Sequence, residues 1–192
     1  MSKYIGWCIL FFCLYYIHTS YSGQVAIVHQ ASGIKYYVNN NQSYEEKIKK
    51  MNLLHELRTR MNSLIEFLKD APHNEQPGVQ MLIRRHSSHL VQLDELEESS
   101  RLTRVFAFNL NKGDRISICL SPENQINELF FVLMHEMAHS MTVDYNHNSI
   151  FWKNFKYLIN VAKDNNLYVN KNYRDNPEKF CKYEVNHNPW FD

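Results

Sequence analysis

Between Phe130 and Trp152 the chain reads FFVLMHEMAHSMTVDYNHNSIFW, three histidines and one glutamate set in an otherwise apolar, aromatic run. Ile126, Leu129, Phe130, Leu133, Met134, Met137 and Met141 recur so densely that a helix through them is apolar on most sides, and such a helix has to cross a core. The rest of the chain must pack around it. His135-Glu136-Met137-Ala138-His139, an HExxH motif, places two imidazoles on one helical face, where leaving both unpaired would be expensive. Either the rings are satisfied inside the core or they share a metal ion. The second alternative brings chemistry: Zn²⁺ on the two rings lowers the pKa of a bound water to about 7 and polarises a carbonyl, with the intervening Glu136 as general base. A site of that kind hydrolyses amides.

A catalytic zinc wants three protein ligands and an open fourth position. His147 follows His139 across Thr142-Val143-Asp144-Tyr145-Asn146, residues suited to ending the helix and folding the chain back. It is the favoured third ligand, given the preference for imidazole at such sites. Asp144 and Tyr145 are rivals at shorter spacing, and Glu178 and Glu184 distant ones. Tyr145, Tyr173, Arg174, Tyr183 and His187 are candidates for stabilising developing charge near the metal.

The chain has 192 residues, room for one well-cored domain. Its 21 Lys and Arg nearly balance 20 Asp and Glu, so composition shows no basic footprint for nucleic acid. Of four cysteines, Cys8 and Cys13 fall in the first apolar run. Cys119 and Cys181 are left as one disulfide or two buried thiols; with no CxxC pair, a cysteine zinc ribbon is excluded.

Tyr4 to Ile17, YIGWCILFFCLYYI, reads as a secretory-type segment, and no Asp, Glu, Lys or Arg follows Lys3 until Lys35. Residues 1–23 are expected to be a signal anchor or a signal peptide, with small residues at Ser20-Tyr21-Ser22 before Gly23 for cleavage. The uncharged stretch through Val28 favours a single-pass anchor with the domain, residues 24–192, on the lumenal or exterior side; secretion after cleavage is the alternative. Asn41-Gln42-Ser43 is a glycosylation triplet consistent with that side.

Gly33 to Asn39 predicts a strand, and Ser43 with Glu46 forms the signature of a helix start. Tyr44, Ile48, Met51, Leu54, Leu57, Met61, Leu64 and Leu68 then make one long apolar stripe ending before Pro72. Gly78 to Glu98 is looser, a strand or helix with a charged exposed turn, and His86 and His89 there read as surface residues. Thr103 to Leu120 alternates on both sides of Asn111-Lys112-Gly113-Asp114, which predicts a β-hairpin. Asn124 or Asn127 would cap the motif helix. Phe151, Phe155, Leu158, Ile159 and Ala162 place a further helix over Ile150 to Asn165, and Phe151 and Trp152 read as core. The order helix, hairpin, helix, helix makes the class α+β.

HExxH, a short gap, then His147 followed by Phe151-Trp152 resembles the WLM and SprT-like zinc metallopeptidases, mainly over Asn127 to Asn166. GIKYYVN, NKGDRISICL and FCKYEVNHNP are similar to stretches of small, N-terminally anchored metallopeptidase-like proteins of nucleocytoplasmic large DNA viruses. Lys182 stands where those viral proteins carry Gly. The resemblance implies a zincin-like, minigluzincin-type single domain with a small sheet or hairpin packed on the HExxH helix, preceded by the hydrophobic segment. It also implies Zn²⁺ held by His135, His139 and His147, Glu136 as general base, and a protein or peptide substrate along the Thr103 to Leu120 hairpin. Relatives of the WLM and SprT type cut DNA-crosslinked proteins, but no DNA-binding region is evident here and no nucleic-acid partner is expected. A non-catalytic, membrane-anchored structural or binding protein with a bracing zinc is the competing reading.

Overall fold

The computed structural model describes residues 23–88, 92–96, 105–121 and 124–191. Its longest element is helix α1, Tyr44–Lys69, opened by the expected reciprocal cap: Glu46 N donates to Ser43 Oγ at 3.2 Å and Ser43 N to Glu46 Oε2 at 3.0 Å. Met51, Leu54, Leu57, Met61, Leu64 and Leu68 of its stripe are buried, each worth roughly 1.5–3 kcal/mol of transfer. Tyr44, at the helix start, instead projects to solvent, 78 % exposed.

Two short strands precede α1. β1, Gln24–Val28, pairs antiparallel with β2, Lys35–Asn39, which turns Tyr36 and Val38 into the core. The stretch through Val28 read as an extension of an N-terminal hydrophobic segment; from Gln24 onward it is strand. The segment Tyr4 to Ile17 and the cleavage site at Ser20 to Ser22 lie outside the described residues. No helix among the described residues is long and apolar enough to cross a membrane, and on that finding the expectation of a single-pass anchor is corrected.

Pro77, at the first position where a missing N–H is harmless, opens α2, Pro77–Ser88. β3, Gln92–Glu95, follows, then β4, Ala107–Leu110, and β5, Arg115–Ile118. The sheet order is β3-β5-β4, with β3 parallel and β4 antiparallel to β5. The expected hairpin is β4 and β5, turning through Asn111 and Lys112 at φ of 49° and 58°; Thr103 and Arg104 lie outside the described residues.

The expected charged, exposed turn is corrected: Asp94 and Glu95 of β3 are fully buried. Lys50 Nζ donates to Glu95 Oε1 at 2.6 Å, and Gln42 Nε2 and Asn39 N reach the same carboxylate at 3.0 and 2.9 Å. Arg115 Nε lies 2.8 Å from Asp94 Oδ2, and Gln92 Nε2 donates to that oxygen at 2.7 Å. A buried carboxylate survives only when so paired. These bonds also seat β2 against β3, where Asn39 Nδ2 donates to the Leu96 carbonyl at 3.0 Å. His86 is half-buried rather than at the surface, because α2 packs that face inward; His89 lies outside the described residues.

α3, Ile126–Ser140, crosses the core as its composition demands, with Leu129 to Met134, Met137 and Ala138 all buried. Neither Asn124 nor Asn127 caps it. Gln125 holds the cap position without a side-chain bond, Asn124 Oδ1 accepts from Ser121 N, and Asn127 bonds both backbone groups of Val169. α4, Ser149–Asp164, packs on α3 and is capped by Asn148, whose Oδ1 accepts from Phe151 N at 3.0 Å. A last hairpin, β6, Glu178–Phe180, and β7, Tyr183–Val185, is tied to the end of β5 by a Cys119–Cys181 disulfide. In its turn Cys181 takes the left-handed backbone, at φ 55°, and Lys182 does not. Glycine is therefore not required at 182.

Candidate metal centre

His135 and His139 leave α3 on the same side, one turn apart, with ring centroids 5.1 Å from each other. His147 arrives from the loop after α3, and its centroid is 4.9 Å from each of the other two. One nitrogen from each ring can be chosen so that all three lie within 4.8 Å of one another. His135 and His147 face each other through Nε2 atoms 3.1 Å apart.

How the chain brings His147 back is written in the carbonyls at the C-terminal end of α3, the groups a helix end leaves without partners. Arg85 Nη1 from α2 donates to the Ser140 carbonyl at 2.6 Å, and Asn154 Nδ2 from α4 to that of Met141 at 3.1 Å. Lys112, from the β4–β5 turn, takes the next three: its Nζ donates to the carbonyls of Thr142 at 2.8 Å, Val143, and Asp144 at 3.1 Å. Two cations at the negative end of the helix dipole also suit its sign. The 140–144 segment, and with it the direction of the chain toward His147, is thus held from three elements.

Beneath the rings lies Phe151, fully buried, with its ring centroid 4.9, 4.5 and 4.5 Å from those of His135, His139 and His147. Trp152 flanks His147 at 5.6 Å. This apolar floor has an electrostatic consequence. Burial first, and then the neighbouring histidines, pull His135 down to about 3. His139 falls to about 4 through burial, His147 and Lys112, and burial lowers His147 as well. The rings are therefore neutral at pH 7, the state in which imidazole binds a metal. Glu136 is 5 % exposed, and burial pushes its carboxyl up to about 8.

Glu136 and all three histidines line one open cleft of about 370 Å³, whose other wall is Val105 to Asn109 of the β4 strand region with Lys112 and Tyr145. Asn109 fastens that wall to the helix. Its Nδ2 donates to the Glu136 carbonyl at 2.6 Å and to Ser140 Oγ at 2.8 Å.

The rival carboxylates stand apart from this group. Asp144 accepts from Asn148 Nδ2 at 2.9 Å beside the start of α4, and Glu178 meets Lys171 at 3.2 Å. Glu184 lines an adjoining hollow with His187, whose ring packs on Trp152 at 5.2 Å. Of the candidate charge stabilisers only Tyr145 lines the cleft, 75 % exposed, with Lys112 Nζ 4.1 Å from its ring centre. Tyr173 is fully buried against Tyr168, Arg174 is exposed on the tail, and Tyr183 packs on Phe106. Sequence reasoning read Phe151 as core, which its full burial bears out, without placing it against the three imidazoles, and it missed Lys112 and Asn109. Phe151 carried a signal, one helical turn past His147 and beside Trp152; the other two reach partners about thirty positions away.

The WLM domain family model matches residues 46–188, about three quarters of the chain. The chain is 30 % identical over 91 residues to an uncharacterized protein of Acanthamoeba polyphaga mimivirus. That match covers 45 % of this chain and 46 % of the viral protein, so it spans about half the relative's length. Among solved structures, a crystal structure of a Wss1 mutant from S. pombe overlaps at a TM-score of 0.33 and 22 % identity, covering 55 % of this chain and 87 % of that one. With the family match running from the start of α1 to beyond β7, through the histidine cluster, the chain belongs to the WLM domain family.

Proposed function

We propose that the chain is a zinc-dependent peptidase, its residues 24–192 forming a zincin-like catalytic domain. The observation that carries the reading is the convergence of three neutral imidazoles over a buried glutamate in a cleft open to solvent. The donor set fits the ion. Two nitrogens on a tetrahedral zinc at about 2.0–2.1 Å stand about 3.3 Å apart, near the 3.1 Å between the His135 and His147 Nε2 atoms. His135, His139 and His147 would hold it, and it would supply the Lewis acidity that activates a water and polarises a carbonyl.

The chain's own residues do the rest. Burial raises the pKa of the Glu136 carboxyl; a cation held by the three imidazoles would lower it again, and the resulting carboxylate would take a proton from the attacking water and return it to the leaving amine. Phe151 covers one side of the three imidazoles and Trp152 one side of His147, leaving the opposite side to the cleft. β4 offers the edge for an extended peptide. Cys119 N donates to the Phe106 carbonyl, so alternation turns the backbone groups of Ala107 and Asn109 away from β5. No strand among the described residues pairs on that side. A polypeptide added there would run beside Glu136, to which Asn109 is bonded.

Purified full-length chain should bind about one zinc and cleave an unfolded protein in a chelator-sensitive way. Glu136→Gln should keep the metal and lose cleavage; equal cleavage by that variant removes Glu136 from the mechanism. His147→Ala should lower zinc content, and a full complement of zinc would remove His147 from the ligand set. A bracing zinc would show the metal and no proteolysis in any arm.

A further inference from the structure

We propose that the apolar hollow on the far side of His135 receives one large apolar side chain, aromatic or branched aliphatic, of the polypeptide being cut. The inference rests on the peptidase reading. The hollow measures about 180 Å³. Phe131, Val132 and Phe155 lie at its base, Trp152 and Val185 form walls, and Phe106 stands at its mouth. An apolar cavity of about 150 Å³ suffices for a benzene ring, so the space matches a single ring or branched chain. It is continuous with the cleft of the histidine cluster, because His135 and Phe106 line both. A substrate lying along β4 with its scissile carbonyl at the cluster would therefore have an adjacent side chain within reach of the hollow.

The outer wall comes from the C-terminal hairpin rather than from the helices. Val185 belongs to β7, and the hairpin is held by the Cys119–Cys181 disulfide and by Phe106 packing on Phe180 and Tyr183 at 6.0 and 5.7 Å. The exposed carboxylate of Glu184 beside the mouth disfavours an acidic side chain. Selectivity would thus reside in residues far in sequence from HExxH, on a wall that the disulfide secures.

The test uses full-length, zinc-loaded chain and a peptide library varied at the two residues flanking the cut, with cleavage sites read by mass spectrometry. One flanking position should favour Phe or Leu over Ala by about tenfold or more in kcat/KM and reject Asp. Val185→Trp, which fills the hollow, and Phe106→Ala, which removes its mouth, should each bring the Phe-to-Ala ratio close to one. Equal use of Phe, Leu and Ala by the wild type, or an unchanged ratio in both variants, overturns the pocket. Should zinc be bound and no peptide be cut, the peptidase reading falls, and the hollow is then read by itself. N-acetyl-phenylalanine amide should shift the fluorescence of Trp152, N-acetyl-alanine amide should not, and Trp152→Phe should abolish the shift; no difference between the two amides overturns the pocket as well.

Discussion

Replacing Lys112 by methionine keeps an apolar stem of nearly the same length and removes the ammonium. Lys112 is 5 % exposed and sits in left-handed backbone, a conformation few side chains adopt without compensation. Three carbonyls lose their donor in the variant, but not at equal cost. Val143 and Asp144 are exposed, so water replaces the ammonium there, whereas Thr142 is 2 % exposed and its carbonyl is left bare. One orphaned buried carbonyl costs about 1–3 kcal/mol. Relief of the desolvation that holds the Lys112 pKa below its usual value offsets part of this. A net loss of about 2 kcal/mol should lower Tm by about 4–8 °C in a domain of this size. Zinc affinity should fall further than stability explains. With the turn released, binding must also order the residues leading to His147, at roughly 1–2 kcal/mol each, so tenfold weaker binding needs only one such residue. Calorimetry of the metal-free protein and competition with a chromophoric chelator measure the two effects separately. A lowered Tm with zinc affinity unchanged within twofold would show that Lys112 braces the fold without positioning the ligand. No change in either would refute the whole account of the turn.

Lys50→Met should be severely destabilising, by about 3–5 kcal/mol in a urea melt, because the fully buried Glu95 carboxylate loses its cation; a loss below 1 kcal/mol would mean that Gln42 and Asn39 suffice. Reducing the Cys119–Cys181 bridge, which closes a separation of 62 residues, should lower stability by up to about 4 kcal/mol on loop entropy, read by thermal melts with and without reductant. Phe151→Ala should weaken zinc binding more than Phe155→Ala, since Phe151 touches all three imidazoles, and chelator competition compares them. The metal-free protein should lose stability on both sides of neutrality. His135 and His139, depressed to about 3 and 4, contribute stability above their unfolded value of about 6.5 that is lost as pH falls through the folded values. Glu136, raised to about 8, contributes stability below its ordinary value that is lost as pH rises through 8, and Glu136→Gln should flatten that alkaline arm alone.

The order of residues along the chain was sufficient for much of what neighbours within a turn or two decide, though not for the start of α3, which neither Asn124 nor Asn127 caps. The stripe of α1, its Ser43–Glu46 cap, the Asn111 to Asp114 hairpin turn and the pairing of His135 with His139 on one face follow from local periodicity, and all stand in the fold. Which residue would meet that pair was not a local matter. His147, Asp144, Tyr145, Glu178 and Glu184 were open at the level of sequence, and the approach of His147 depends on Lys112, Arg85 and Asn154, from the β4–β5 turn, α2 and α4. The burial of Asp94 and Glu95 was illegible for the same reason. A carboxylate in a run of charges looks solvated until Lys50, 45 positions earlier, and Arg115, from the neighbouring strand, are brought to it. Local spacing specifies which groups share a face, whereas only the packing of distant elements removes water from them. Desolvation is what moves His135, Glu136 and Lys112 away from their ordinary protonation behaviour.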